Sequence, residues 1–385
     1  MEERSSLFDF SLDDVSHYSS IGPISTAISN NLFGINHRQT PSPVPLNRDH
    51  YGLAFFTRPQ LNLQDENIRN FPLLLPFLTK DPTSYQLAIR NLLDPRVGRG
   101  WGGYTARTSD LIDQEQAFIP ILTNHLISLS GFRDIEVPSF SAPEGVYKEG
   151  YSMPDGLVTN YTTYDITATF RNSIGDPITM LFFLWAHYMG GVVKGTLMPY
   201  PDFLIQNIRD YDTAIYRLVL DRTKTKVQRI ARTIAFPLNV PIGGMFDFSI
   251  DKPYNDANSE IAIQFRCHGA EYNDDRLVFE FNKVSGIFNA AMKVEPDLET
   301  GKLNSDEMVK IDYALLQMMN YRGYPYINPC TYELDWYVQR DVYEAKVARM
   351  MQVTQSLLNR QGSGTAPMGE IGAEGGELPE NEYDA

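Results

Sequence analysis

The chain has 385 residues, with 33 Lys and Arg against 48 Asp and Glu and a formal net charge of −15. That length can bury a sizeable core and hold two domains, on a prior of ~150 residues each. The acidity argues against a chain that grips nucleic acid, because such binding needs cations to displace counterions, and it reads most simply as solubility. With only Cys267 and Cys330 there is neither a disulfide framework nor a zinc quartet, and reduced thiols are the default.

The start, Met1-Glu-Glu-Arg-Ser-Ser, lacks the apolar core of a signal peptide. No run reaches the ~20 apolar residues that cross a bilayer. Residues 1–60 are polar and weakly periodic, with a stiff piece at Pro41, Pro43 and Pro45. They read as an extended N-terminal arm, because Phe8, Phe10, Leu32, Phe33, Phe55 and Phe56 are more apolar mass than a solvating tail carries.

Residues 61–160 read as a helical and irregular extension. Asp81-Pro82 signals a helix start, and Tyr85, Leu87, Ala88 and Leu92 follow on one face. Arg96 to Tyr104 is glycine-rich with two arginines but lacks the Gly-Lys-Ser/Thr ending of a phosphate loop, so a surface loop is expected. Residues 111–130 read as helix, with Pro120 making a kink or two shorter pieces. Residues 138–160 read as a long connection.

Residues 161–284 form the centre of the chain. Tyr164, Ile166, Ala168 and Phe170 alternate with Thr163, Asp165, Thr167, Thr169 and Arg171, the mark of a strand buried on one face. Asp176-Pro177 supplies a cap and a first-turn proline for an apolar helix, Ile178 to Met189, which Gly190-Gly191 stops. A helix apolar all round needs cover on more than one side, from a sheet and then from more chain or a neighbouring copy. Ala214 to Leu220 reads as a strand buried on both faces, and Asp221 to Thr225 as a turn. Val227 to Phe236 fits helix or strand spacing; the hairpin geometry favours strand. Ile261, Ile263, Phe265 and Cys267 point inward from a further strand, with His268 outward. Arg276 to Asn282 reads as a short strand.

Residues 285–360 read as a C-terminal helical extension, with stripes over Ser305–Met319 and Val342–Leu358 and irregular chain at 321–330. Residues 361–385 are a Gly-rich acidic tail. Glu370, Glu374, Glu377, Glu380, Glu382 and Asp384 are unopposed by any Lys or Arg there, so the tail should be disordered alone.

Ala235-Phe-Pro-Leu-Asn-Val-Pro-Ile, then Phe248-Ser-Ile-Asp251, then Glu260-Ile-Ala-Ile-Gln-Phe-Arg266 resembles the tail-tube proteins of contractile-tailed bacteriophages. Ile166 to Phe170 followed by the Phe- and Trp-rich helix is similar to that family too. The resemblance covers roughly a third of the chain, and residues 1–160 and 285–385 have no counterpart in a minimal tube protein. It implies an α+β fold: a tail-tube-like β-sandwich or barrel core with a flanking helix, plus N- and C-terminal helical or irregular extensions. It also implies a structural virion protein of a phage tail, assembled in the host cytoplasm. Six copies would close into a ring, and rings would stack around the DNA path. Its partners would be itself and sheath, neck, baseplate or tape-measure proteins, with DNA passing through unbound and no membrane span. A neck or baseplate adaptor ring with the same fold is the first alternative.

His17, His37, His50, His125, His187 and His268 form no His-x-x-x-His pair, and no Gly-x-Ser-x-Gly elbow occurs. His187 reads as a core or interface histidine. Asp251 to Asp256 lacks the glycine and terminal Glu of a calcium loop, and Asn273 to Arg276 reads as a solvated loop. No catalytic, cofactor-binding or metal-binding residue is assigned, no cofactor is expected, and the chain is expected not to be an enzyme. The reading of another class, a carbohydrate-binding or hydrolytic surface protein, rests on the 22 Tyr alone.

Overall fold

The computed structural model describes residues 51–96, 108–155, 162–221, 223–246, 250–251, 259–297, 299–316, 319 and 322–362. The glycine-rich loop beyond Arg96, the Asp251–Asp256 loop beyond its first residue, the first fifty residues and the acidic tail from 363 lie outside them. The chain divides into two units, Met1–Val338 and Gln339–Ala385.

In chain order the first unit contains β1 (Tyr51–Phe56), α1 (Asp65–Ile68), a 3-10 turn (Pro72–Phe77), α2 (Tyr85–Leu93), α3 (Pro120–His125), β2 (Leu126–Ser130), β3 (Ser139–Ser141), β4 (Ser152–Pro154), β5 (Thr163–Arg171), α4 (Pro177–Val193) and α5 (Pro201–Gln206). There follow β6 (Thr213–Leu220), β7 (Val227–Pro237), β8 (Glu260–Tyr272), α6 (Asp275–Ser285), β9 (Met308–Ile311), α7 (Tyr313–Leu316), β10 (Tyr324–Ile327) and β11 (Leu334–Gln339). The second unit contains the long helix α8 (Arg340–Gly362), a helix where the sequence predicts one over Val342–Leu358, although Ala345, Ala348 and Met351 of the expected stripe are exposed.

Six antiparallel strands in the order β1-β6-β7-β8-β5-β2 make the main sheet. Its first and last strands are linked by one stretch of chain. Residues 117–119 bond to the end of β1, through Ile119 N to Phe56 O at 2.8 Å and Arg58 N to Ala117 O at 2.9 Å. That stretch runs through α3 into β2. The sheet thereby curls into a nearly closed barrel, flanked by helices. A bulge interrupts the β7–β8 ladder between Thr233 and Ile234, where Gly269 takes a φ of 67° that costs a residue without a Cβ little.

The concave face carries Phe56, Ile215, Ala235, Ile166, Ala168, Phe170, Ile261, Ile263, Phe265 and Cys267, all in one buried cluster with α4. The alternation in β5 and β8 is therefore as the sequence predicts. Cys267 sits fully buried, and burial pushes its thiol up to about 11. On the convex face, Phe55, Tyr216, Leu218, Leu220, Val227 and Ile230 pack on Leu277, Val278 and Phe281 of α6 and on Ile327 and Leu334. β6 is thus buried on both faces.

Several local readings are corrected. Arg276 to Asn282 is helical, not a strand: Asp274 caps α6 by accepting from Arg276 N at 2.9 Å, and Leu277, Val278 and Phe281 fall on one helical face. Residues 111–130 do not form one helix; Pro120 opens the six-residue α3, and Leu126–Ser130 is a strand. Ser305–Met319 is the strand β9 and the short α7 rather than a helical stripe. The stretch read as irregular at 321–330 contains β10, whose four residues are all buried. The 138–160 connection contains the β3–β4 hairpin. Asp81 does not cap α2, which starts four residues later; its carboxylate accepts from Thr83 N at 2.9 Å instead.

Helix α4 differs at both ends from expectation. Asp176 has left-handed backbone and no capping bond; its Oδ1 accepts from Asn172 Nδ2 at 2.6 Å. The helix runs through Gly190 and Gly191 and ends at Lys194, with Gly195 supplying the left-handed turn at φ 73°. The second cover of α4 comes from the chain itself. Leu74 and Phe77 of the 3-10 turn and Ile89, Leu92 and Leu93 of α2 share its cluster.

Candidate assembly surface

Among the described residues, the convex face is covered only at its β1–β6–β7 end. At the other end Thr163, Asp165, Thr167, Thr169 and Arg171 of β5 stand beside Glu260, Ala262, Gln264, Arg266 and His268 of β8, each half-buried or exposed. The strand register pairs their charges. Asp165 lies opposite Arg266 and Arg171 opposite Glu260, and Arg266 Nη2 donates to Asp165 Oδ2 at 3.1 Å. Such cross-strand pairs stabilise a sheet by ~0.2–1 kcal/mol each, and they leave this face with no net charge and a run of threonines.

His268 is half-buried rather than fully outward. Its ring stacks on Phe236 with centroids 5.8 Å apart, and its Nε2 lies 3.2 Å from Arg209 Nη1. Burial first, then Arg209 and Arg266, hold its pKa below the usual value. His187 on α4 meets Phe183 edge-on at 4.2 Å, and burial, then Lys194, lowers its pKa. It is an aromatic packing residue. His125 Nδ1 bonds Ile121 O within α3. The other three histidines lie outside the described residues, and among those residues no group of three His, Cys, Asp or Glu side chains could hold a metal ion.

The edge of the sheet at β2 bonds to β5 on one side, and no described strand lies on the other. Ile127 is exposed there. β2 continues directly into the hairpin arm β3–β4. The root of the arm is fixed: Gly131 takes a φ of 104° against Asp165 O, and Tyr272 Oη donates to Arg133 O at 2.5 Å. Beyond the root the arm buries almost nothing. Val146 is 94% and Tyr147 91% exposed, and Ile135, Val137, Phe140, Tyr151 and Met153 are exposed as well. Scattered exposed apolar residues need no explanation, but a contiguous set marks a contact surface. The sequence signal for it was present in Phe140, Val146, Tyr147, Tyr151 and Met153, hidden among the Pro, Gly and Ser that read as a connection.

The described residues thus form a curled antiparallel sheet with an edge strand at β2, an open face without net charge and an exposed apolar arm. The family comparison gives the chain's class. A model described as "Putative phage tail tube protein" matches residues 7–354, and the chain belongs to that family. It is a structural component of a phage tail. No curated protein matches it.

Among solved structures, it is similar to the cap that terminates the tube of the anti-feeding prophage. That match has 15% identity and a TM-score of 0.25, covering 40% of this chain and 81% of that one. The sheath–tube complex of the extracellular contractile injection system PVC in its extended state matches at 14% identity and a TM-score of 0.25, over 40% and 82%. The sheath/tube terminator of that system matches at 13% and 0.22, over 41% and 88%. At those scores the assignment rests on the family match. No helix among the described residues is long and apolar enough to cross a membrane.

Proposed function

We propose that copies of this chain close into a ring, six to a ring as the tube-protein resemblance implies, and that rings stack into a tube that conducts DNA. The observation that carries this is the open edge of β2 running straight into the exposed apolar arm. Unpaired strand edges are completed by a neighbour's backbone, and a head-to-tail contact of that kind generates a closed ring when the rotation closes. The arm adds apolar area beside the new ladder, in reach of the adjoining copy or ring. The neutral, Thr-rich open face suits a channel wall. Its charges sum to zero and Arg266 is paired with Asp165, so passing phosphates meet no net positive charge there.

The role is structural, without catalysis, and its partners beyond itself are sheath, neck, baseplate or tape-measure proteins, with assembly in the host cytoplasm. The test is light scattering on the full chain and on Ile127→Lys and Tyr147→Asp. The reading expects a multimer for the wild type and a folded monomer for the paired substitutions, because a charge on an edge strand blocks pairing. An unchanged multimer in the double variant would overturn the role of β2 and the arm.

A further inference from the structure

Helix α5 is an unusual passenger on this fold. None of its six residues is buried, while Leu204, Ile205 and the nearby Ile208 are all exposed. Its own residues bury only part of Phe203, and the buried ring of Tyr200 just before it is its apolar anchor. Polar ties at its start add to that anchor, and they converge on one carboxylate.

Asp94, at the end of α2, is fully buried. It accepts from Leu63 N at 3.0 Å, from Arg96 N at 3.2 Å and from Tyr200 Oη at 3.0 and 2.9 Å. Tyr200 is the residue that precedes α5. The other tie uses the same loop: Arg96 donates to both oxygens of Asp202 at 2.8 and 2.7 Å, and its guanidinium lies over the rings of Tyr200 and Phe203 at 4.5 and 4.8 Å. One buried acid thus fixes the backbone of Arg96 and the hydroxyl of Tyr200, between which the start of α5 is clamped.

We propose that Asp94 is a proton-operated latch for α5, setting how firmly that helix and its apolar ridge are held on the barrel. Burial pushes the Asp94 carboxyl up to about 6, against the hydrogen bonds from Tyr200, Leu63 and Arg96 and the attraction of Arg90. The charged and titratable groups around it are Arg90, which is bonded to Asp65, Arg96, which is bonded to Asp202, and the hydroxyls of Tyr200 and Tyr188. Beyond Tyr188 lie Asp210 and then Asp212, paired with Arg209. No cation bonds directly to the Asp94 carboxylate among the described residues; Arg90 spends its guanidinium on Leu63 O, Phe77 O and Asp65.

The sign follows from the raised value. When the latch opens, Asp94 meets water and regains an ordinary acidity, so the closed form binds the extra proton. Closure is fully supported below about 4 and loses that support as pH rises through about 6. One carboxylate gives about a tenfold rise in the opening constant per pH unit across that window. Neutral conditions therefore loosen the ridge of Leu204, Ile205 and Ile208, and mild acid seats it. The inference does not depend on ring formation.

The test is hydrogen exchange on the full chain at pH 4.5 and 7.0, corrected for the pH dependence of exchange chemistry. The amides of Phe203, Leu204 and Ile208, which bond to Tyr200 and Phe203 carbonyls, should lose at least tenfold protection at pH 7.0 relative to those of the β5–β8 ladder. Tyr200→Phe should show the loosened state at both pH values. Equal protection at both pH values in the wild type, or a wild-type response in Tyr200→Phe, overturns the latch. Carbon NMR of the Asp94 carboxyl in the wild type gives a check free of any folding defect: a midpoint near 6 supports it, and one at or below 4 overturns it.

Discussion

Phe182 of α4 meets Phe265 of β8 edge-on, with ring centroids 5.7 Å apart and planes at 72°. Phe182 also stacks on Trp185 at 6.0 Å and touches Phe170 at 6.0 Å. The most apolar helix among the described residues is therefore the keystone of the barrel's own core. An apolar helix is weak evidence for self-association once α2 and the Pro72–Phe77 turn are seen to cover its second side. The case for assembly rests on the β2 edge and the arm instead.

Phe182→Ala should destabilise the folded chain by about 3–5 kcal/mol, the range for truncating a buried phenylalanine. Denaturant unfolding of the unassembled chain measures it. A loss below about 1 kcal/mol would mean that α4 is not seated as described.

The two glycines of α4 should behave oppositely. A Cβ on Gly191 would lie 2.5 Å from Leu197 Cδ1, whereas one on Gly190 meets nothing within 4 Å. Gly191→Ala should cost about 1–3 kcal/mol by overpacking. Gly190→Ala should stabilise by about 0.5–1 kcal/mol, the ordinary gain of alanine within a helix. Thermal unfolding of the two variants side by side decides this.

Stability should rise as the solution is acidified toward pH 4, until acid-labile ion pairs elsewhere break. Burial pushes Asp210 up to about 6 despite the hydroxyl of Tyr188, and burial does the same to Asp212 despite Arg209. A raised carboxyl contributes stability that is present below its unfolded value and lost as pH passes its folded one. Asp210→Asn should remove its share: the difference in unfolding free energy between variant and wild type should shift by about 2.4 kcal/mol between pH 4 and 7. Unfolding curves at the two pH values measure it, and a constant difference would contradict it.

Cys267 should resist thiol reagents in the native chain and react only after unfolding. It is fully buried, and burial raises its thiol to about 11, so little nucleophilic thiolate exists. Timed labelling with mass spectrometry identifies the modified residue.

Much of the barrel was legible because a strand with one wet face writes itself as alternation. The inward set Ile261, Ile263, Phe265 and Cys267 and the set Ile166, Ala168 and Phe170 are both of this kind. The segment Leu277-Val-Phe-Glu-Phe281 misled because its Val and two Phe favour strands, while only Leu277, Val278 and Phe281 are buried; the cap at Asp274 was the better signal. β10 escaped because Tyr324-Pro-Tyr-Ile327 is buried on both faces and so does not alternate. The cover of α4 by α2 could not be read locally, since it joins residues about ninety positions apart in the chain. The glycine-rich loop that the sequence singled out yields one described anchor, Arg96, and that arginine holds α5.

The most direct measurement of the central claim is electron microscopy of the purified full-length chain in negative stain, across a range of concentrations. Rings or tubes with an open centre, lost when Ile127→Lys and Tyr147→Asp are combined, are the predicted result. Particles of single-subunit size at every concentration would contradict it.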